Sequence, residues 1–208
     1  MVYNNFLTRF ISSFFLISLY FFLYFNHPNK IIFFVTFIYS IIFLEILLFF
    51  KRYKIMIISY IIISFVFVFL YFYYNFSPIE FTAIILCISL FDSACYVVGK
   101  TFGRNKILIN ISPNKTYEGL FGGVLFTNLV CLLIYYNIDL SKIDFNLYIY
   151  VNLVILFSFF GDLLQSYFKR LNFLKDSGSF FPGHGGFFDR FDSFLLVIIP
   201  ISILNLLF

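Results

Sequence analysis

Ile31 to Phe50 reads IIFFVTFIYSIIFLEILLFF, twenty residues with one charge, Glu45. A helix of that length rises about 30 Å, enough to cross the hydrocarbon of a bilayer. A run this apolar in β conformation would leave an open sheet edge in lipid with its backbone groups unpaired, so its isoleucines do not argue for a strand. Similar apolar stretches lie at roughly 8–25, 55–74, 79–98, 119–137, 147–167 and 193–208, the last of them short. Breakers separate them: His27-Pro28-Asn29, the basic Lys51 to Lys54, Ser77-Pro78, and the polar segment from Gly99 to Gly119. The expected fold class is an all-α polytopic membrane protein with about seven transmembrane helices and cytoplasmic polar loops. Residues 1–208 read as a single integral membrane domain, with amino-terminal spans in 1–78 and the polar motifs in 79–208.

Composition agrees. Hydrophobic residues make up 62% of the 208 and charged residues 12%, and the mean hydropathy is +0.99. Soluble domains carry about 25% charged residues. The first apolar run lacks a small-residue cleavage motif and reads as a retained span. Cys87, Cys95 and Cys131 lie in or beside apolar segments without a CxxC pair, so they read as packing residues. With the amino terminus inside, twelve of the fourteen basic residues fall on the inner side, leaving Lys30 and Lys142 outside. That asymmetry places both long polar loops in the cytoplasm. Glu45 and Asp92 are acids inside spans, where an ionisable group needs a partner or a function; for Glu45 pairing with another helix is an equal alternative.

Polar residues concentrate from Ser166 to Asp192, SYFKRLNFLKDSGSFFPGHGGFFDRFD. On the helix leading into it, Asp162, Ser166 and Lys169 fall at i, i+4 and i+7 on one face. Asp189 and Asp192 stand at i and i+3; such oxygens suit Mg²⁺ beside a triphosphate, and equally suit the start of a helix, where the macrodipole favours acids. In Pro182-Gly183-His184-Gly185-Gly186 the glycines allow backbone amides to approach an anion. Upstream, Asp92, Tyr96, Gly99, Gly103 and Arg104 precede Ser112-Pro113-Asn114-Lys115-Thr116 and Glu118-Gly119. Lys115 and Thr116 are phosphate candidates, although the spacing of a P-loop is missing.

Taken in order, Ser166, Lys169-Arg170, Lys175-Asp176, Gly178, Pro182, His184-Gly185-Gly186, Asp189-Arg190 and Asp192 resemble the signature of the phosphatidate cytidylyltransferase family, and the run from Asp92 to Gly119 is similar to its second motif region. The resemblance covers roughly Asp92 to the carboxyl end. It implies transfer of CMP from CTP to phosphatidic acid, with Mg²⁺ and a monovalent cation such as K⁺. It implies metal binding by Asp162 and Asp189 with Asp192 close by, and phosphate or substrate contacts by Ser166 and Lys169. Lys175, Asp176 and His184 join the catalytic set, and Lys115, Thr116, Arg170, Gly185 and Gly186 the nucleotide-binding set. Family members are similar in being dimeric helical membrane proteins, so the resemblance implies a homodimer in a bacterial-type inner membrane, with its site facing the cytoplasm and no nucleic-acid partner. Two departures stand out: Gln165 occupies a position where relatives commonly carry an acid, and the chain is shorter than many members. A CTP-dependent polyprenol or phytol kinase is the nearby alternative, and a transporter the distant one. A transporter would be expected to show paired broken helices or internal repeats, and neither is visible.

Overall fold

The computed structural model describes residues 2–74, 76–137, 147–180 and 185–207. Among these described residues the chain forms seven α-helices: α1 (Val2–Asn26), α2 (Ile31–Phe49), α3 (Lys54–Tyr74), α4 (Pro78–Phe102), α5 (Tyr117–Asn137), α6 (Leu147–Leu171) and α7 (Phe188–Leu207). A 3₁₀ turn, Pro28–Lys30, joins α1 to α2. Six helices, α2 to α7, are long and apolar enough to cross a membrane. In α1 only Ser13–Asn26 adds an apolar stretch among the described residues, so the structure supports six spans where the sequence led us to expect seven.

Two expectations are corrected. The last span is not short: α7 begins at Phe188, so Asp189 and Asp192 belong to its first turns and the helix runs twenty residues. The apolar pattern starts late because those acids face protein instead of lipid. The segment after α4 is not simply a loop, because β1 (Lys106–Leu108) pairs antiparallel with β2 (Ser112–Thr116), Lys106 opposite Thr116. Glu118 fixes this hairpin: its carboxylate accepts the amides of Arg104 and Asn105 at 3.1 Å each. Thr116 Oγ1 accepts the Gly119 amide at 3.1 Å and so caps the start of α5.

The most extensive packing is α4 against α5 and α6 against α7, followed by α3 against α7. In lipid, helices gain little from apolar contact alone and associate through small residues and interhelical hydrogen bonds. Gly119 and Gly123 form a small-xxx-small pair on α5 facing Cys95 and Gly99 on α4; a Cβ on Gly119 would stand 2.8 Å from the Cys95 carbonyl oxygen. Gly161 does the same between α6 and α7, where a Cβ would meet the carbonyl oxygen of Asp192 at 2.9 Å. Helix α7 is well enclosed, with Phe188, Leu195, Val197, Ile198 and Ile201 buried. A buried polar chain ties it to its neighbours: the Tyr39 hydroxyl meets Ser64 Oγ at 2.6 Å, which donates to the Leu195 carbonyl at 2.6 Å. The outer face of α5 exposes Phe121, Leu125 and Leu129, a surface suited to lipid. The three cysteines are free thiols.

Candidate active site

One end of the bundle collects the polar residues. The C-terminal part of α4, the hairpin, the first turn of α5, the C-terminal part of α6 and the first turns of α7 surround a cavity of about 350 Å³. Four aspartates line it, Asp92, Asp162, Asp189 and Asp192, together with Lys115, Thr116 and Arg190. The two polar regions of the sequence, separated by most of α5 and α6, therefore form one site.

On the α6 side, Lys115 Nζ lies 2.8 Å from Asp162 Oδ2 and 4.5 Å from the centre of the Phe159 ring. Ser166 Oγ donates to Asp162 Oδ1 at 3.4 Å, a long contact in keeping with one helical turn of separation. Lys169, one turn further on, reaches α7: its Nζ is 2.8 Å from Asp189 Oδ1. The one-face arrangement read from the spacing is thus divided between two carboxylates. Asp162 has Lys115 and Ser166, and Asp189 has Lys169.

Asp189 is the most heavily bonded group of the site. Oδ1 accepts Gln165 Nε2 at 2.6 Å as well as Lys169, and Oδ2 accepts the Ser177 amide at 2.7 Å, Ser177 Oγ at 3.0 Å and the Gly186 amide at 3.3 Å. A carboxylate offers about four lone-pair sites, so Asp189 is saturated in this arrangement. The carboxylate of Asp192 caps its own neighbour, accepting the Ser193 amide at 2.8 Å. Gly185 has φ of +85°, the left-handed region that suits glycine, and a Cβ there would press on Asp189 Oδ2 at 3.2 Å. Gly185 therefore makes room for the Asp189 carboxylate, and the Gly186 amide is already engaged by it.

The remaining candidates are placed as follows. Lys175 and Asp176 are exposed in the turn before Ser177. Arg170 sits at the surface, where its Nε donates to the Ile111 carbonyl at 3.2 Å and fastens the hairpin to α6. Thr116 lines the cavity while capping α5. Pro182 and His184 lie outside the described residues, as does Lys142.

Three participants were not legible as such. Gln165, read only as a missing acid, donates to Asp189 and keeps its Oε1 buried without a hydrogen-bond partner. Ser177 holds Asp189 through both its amide and its hydroxyl. Glu45, from α2, is fully buried and accepts the amides of Phe187 and Phe188 at 2.9 Å each. The only signal for Glu45 was its charge inside an apolar run; nothing in the spacing named its partner.

For Mg²⁺ the donor chemistry is right, since Asp92, Asp162 and Asp192 supply hard oxygens to one cavity. No group of three or more acidic, His or Cys side chains is close enough to form a complete protein shell among the described residues. Mg²⁺ is commonly bound by one or two carboxylates with water or phosphate oxygens completing its shell, and a carboxylate pair in this cavity would fit that pattern.

A second, smaller cavity of about 120 Å³ adjoins the first and shares Asp92, Arg190 and Asp192 with it. Its other walls are mainly apolar, including Phe34, Val35, Ile38, Phe81, Ile85 and Ile88 from α2 and α4.

Similar proteins point the same way. A stretch of 122 residues is 43% identical to a phosphatidate cytidylyltransferase of Staphylococcus epidermidis, covering 57% of this chain and 46% of that protein. The Staphylococcus haemolyticus protein of the same name is 44% identical over 124 residues, and that of Staphylococcus aureus 42% over 122, with the same coverage. The chain spans about half the length of the curated relatives it matches. The sequence profile of the cytidylyltransferase family matches residues 4–208, nearly the whole of it, and this chain belongs to that family.

Proposed function

We propose that the site transfers CMP from CTP to phosphatidic acid, giving CDP-diacylglycerol and pyrophosphate at the cytoplasmic face of a bacterial inner membrane, with α1 as a seventh span. The observation that carries this reading is the junction of the two cavities at Asp92, Arg190 and Asp192. A lipid phosphate needs that combination: a charged chamber for its head beside an apolar one for the first carbons of its tail. The relatives that share the sequence are named for this substrate.

The chemistry asks little of a base. The phosphate monoester of phosphatidic acid arrives as an anionic oxygen. It forms a bond to the α-phosphorus of CTP as the bond to the bridging oxygen of the β-phosphate breaks, and pyrophosphate carries away the electron pair. The difficulty is bringing two polyanions together, and positioned positive charge answers it. Lys115 and Arg190 line the chamber and meet the phosphates directly. Ser166 and Lys169 stand behind Asp162 and Asp189 on α6 and hold those carboxylates in register.

Asp162 and Asp192 would hold Mg²⁺, with Asp189 able to replace one of them on releasing a donor, and the ion would supply charge neutralisation of the triphosphate. For a monovalent cation the fitting observation is the buried, unpartnered Oε1 of Gln165, a neutral oxygen beside Asp189.

Membranes containing the protein, given labelled CTP and phosphatidic acid with and without Mg²⁺, test the reading. The expected result is labelled CMP in a lipid and release of pyrophosphate. Release of CDP with a phosphorylated alcohol would assign a lipid kinase instead.

A further inference from the structure

A helix start leaves its first amides without intrahelical partners, and a side chain at the start of the helix normally accepts them. Helix α7 has no such side chain: the residues before its first turn are Gly186 and Phe187. The acceptor comes instead from α2, where Glu45 Oε1 takes the Phe187 amide and Oε2 the Phe188 amide, both at 2.9 Å. We propose that Glu45 is a positioning residue for the active site, capping α7 from another helix so that Asp189 and Asp192 are presented to the cavity. The proposal rests on the cytidylyltransferase reading for its consequence, though not for its geometry.

The surroundings of Glu45 are built around the carboxylate. Its side chain is fully buried, so it meets neither solvent nor a lipid headgroup and lines neither cavity. Two glycines leave it space: a Cβ on Gly178 would stand 2.9 Å from Oε1, and one on Gly186 2.7 Å from Oε2. The amide of Gly186 meanwhile donates to Asp189 Oδ2. Two carboxylates thus grip consecutive amides of one turn: Asp189 holds residue 186, and Glu45 holds residues 187 and 188. With both in place, the rotation of α7 about its axis is set, and Asp192, one turn on, lines the same cavity as Asp162. Losing Glu45 leaves two buried amides unpaired and frees the first turn to fray. An acid buried among apolar helices is expensive to keep, and the double amide contact is what it accomplishes there.

The test compares wild type with Glu45→Gln and Glu45→Asp, purified in lipid nanodiscs. Gln keeps the size but turns one oxygen into an amide group that faces an N–H, and Asp keeps the charge but retracts by about 1.5 Å. Three readings are taken: amide hydrogen exchange over 185–193, Mn²⁺ affinity by electron paramagnetic resonance, and CMP transfer per folded molecule against Mg²⁺ concentration.

For Glu45→Gln, exchange at Phe187 and Phe188 should accelerate at least about tenfold, and the Mn²⁺ dissociation constant and Mg²⁺ midpoint should both rise about fivefold or more. Glu45→Asp should lie between, and it carries the test alone, at about threefold, if Glu45→Gln does not fold. Unchanged exchange overturns the proposal. So does faster exchange with Mn²⁺ affinity and Mg²⁺ midpoint within about twofold of wild type, because a merely structural cap lowers the amount of folded protein without moving either. If wild type transfers no CMP, the functional reading fails, while exchange and Mn²⁺ affinity still decide the role of Glu45.

Discussion

Lys115, at the end of the hairpin, holds Asp162 of α6 in a 2.8 Å ion pair on the wall of the cavity. This contact joins the two polar regions of the chain, and it sets the orientation of the lysine that the proposed function assigns to the nucleotide phosphates. Lys115→Met should therefore lower CMP transfer by about a hundredfold and raise the KM for CTP, as removal of a positioned charge-stabilising group does. Lys115→Arg should recover part of the loss. Steady-state kinetics with varied CTP, normalised to protein in the membrane, check both.

Asp162 and Asp189 differ in how they are held, and their amide variants should differ accordingly. Asp189 organises five donors, so Asp189→Asn leaves Lys169 or the Ser177 amide without its partner and should cost about 3 kcal/mol of stability as well as activity. Asp162→Asn should abolish transfer with a smaller loss of stability, since among the described residues it holds two partners, Lys115 and Ser166, against the five donors on Asp189. Thermal unfolding in detergent beside the labelled-CTP assay separates the two outcomes. Transfer by either variant at the wild-type rate would sink the assignment.

Gly161 is a point of close approach between α6 and α7, with room for hydrogen but not for a methyl group. Gly161→Ala should push α7 from α6 at the level of Asp192, costing about 1–3 kcal/mol by overpacking and at least tenfold in transfer. Gly178→Ala, which presses on Glu45 instead, should affect the first turn of α7 and spare the α6 contact. Cysteine cross-linking between α6 and α7 reports the spacing directly.

Ser64 lines neither cavity, although its partner Tyr39 lines the smaller one, and it links α2, α3 and α7 by two 2.6 Å hydrogen bonds. Ser64→Ala should lower stability by about 0.5–2 kcal/mol while leaving the KM for CTP unchanged. A change in that KM would show that the buried chain reaches the site.

Much of the architecture was legible in the apolar runs. A stretch such as Ile31–Phe50 has one stable solution in lipid, a helix whose backbone bonds are internal, so the six spans follow from length and composition. The polar segment before Asp192 announced its chemistry in the same way, because charge and glycine in a chain this apolar need a purpose. Which residue would meet which was not legible, because side-chain partners are set by helix rotation and depth, which no local spacing encodes. Asp162 and Lys169 share a helix face, yet Lys169 pairs with Asp189 and Asp162 with Lys115. Glu45 showed only as an acid in the wrong solvent. Only the packing of α2 against the start of α7, with glycines at 178 and 186 leaving room for a carboxylate, decided that it caps the helix carrying Asp189 and Asp192.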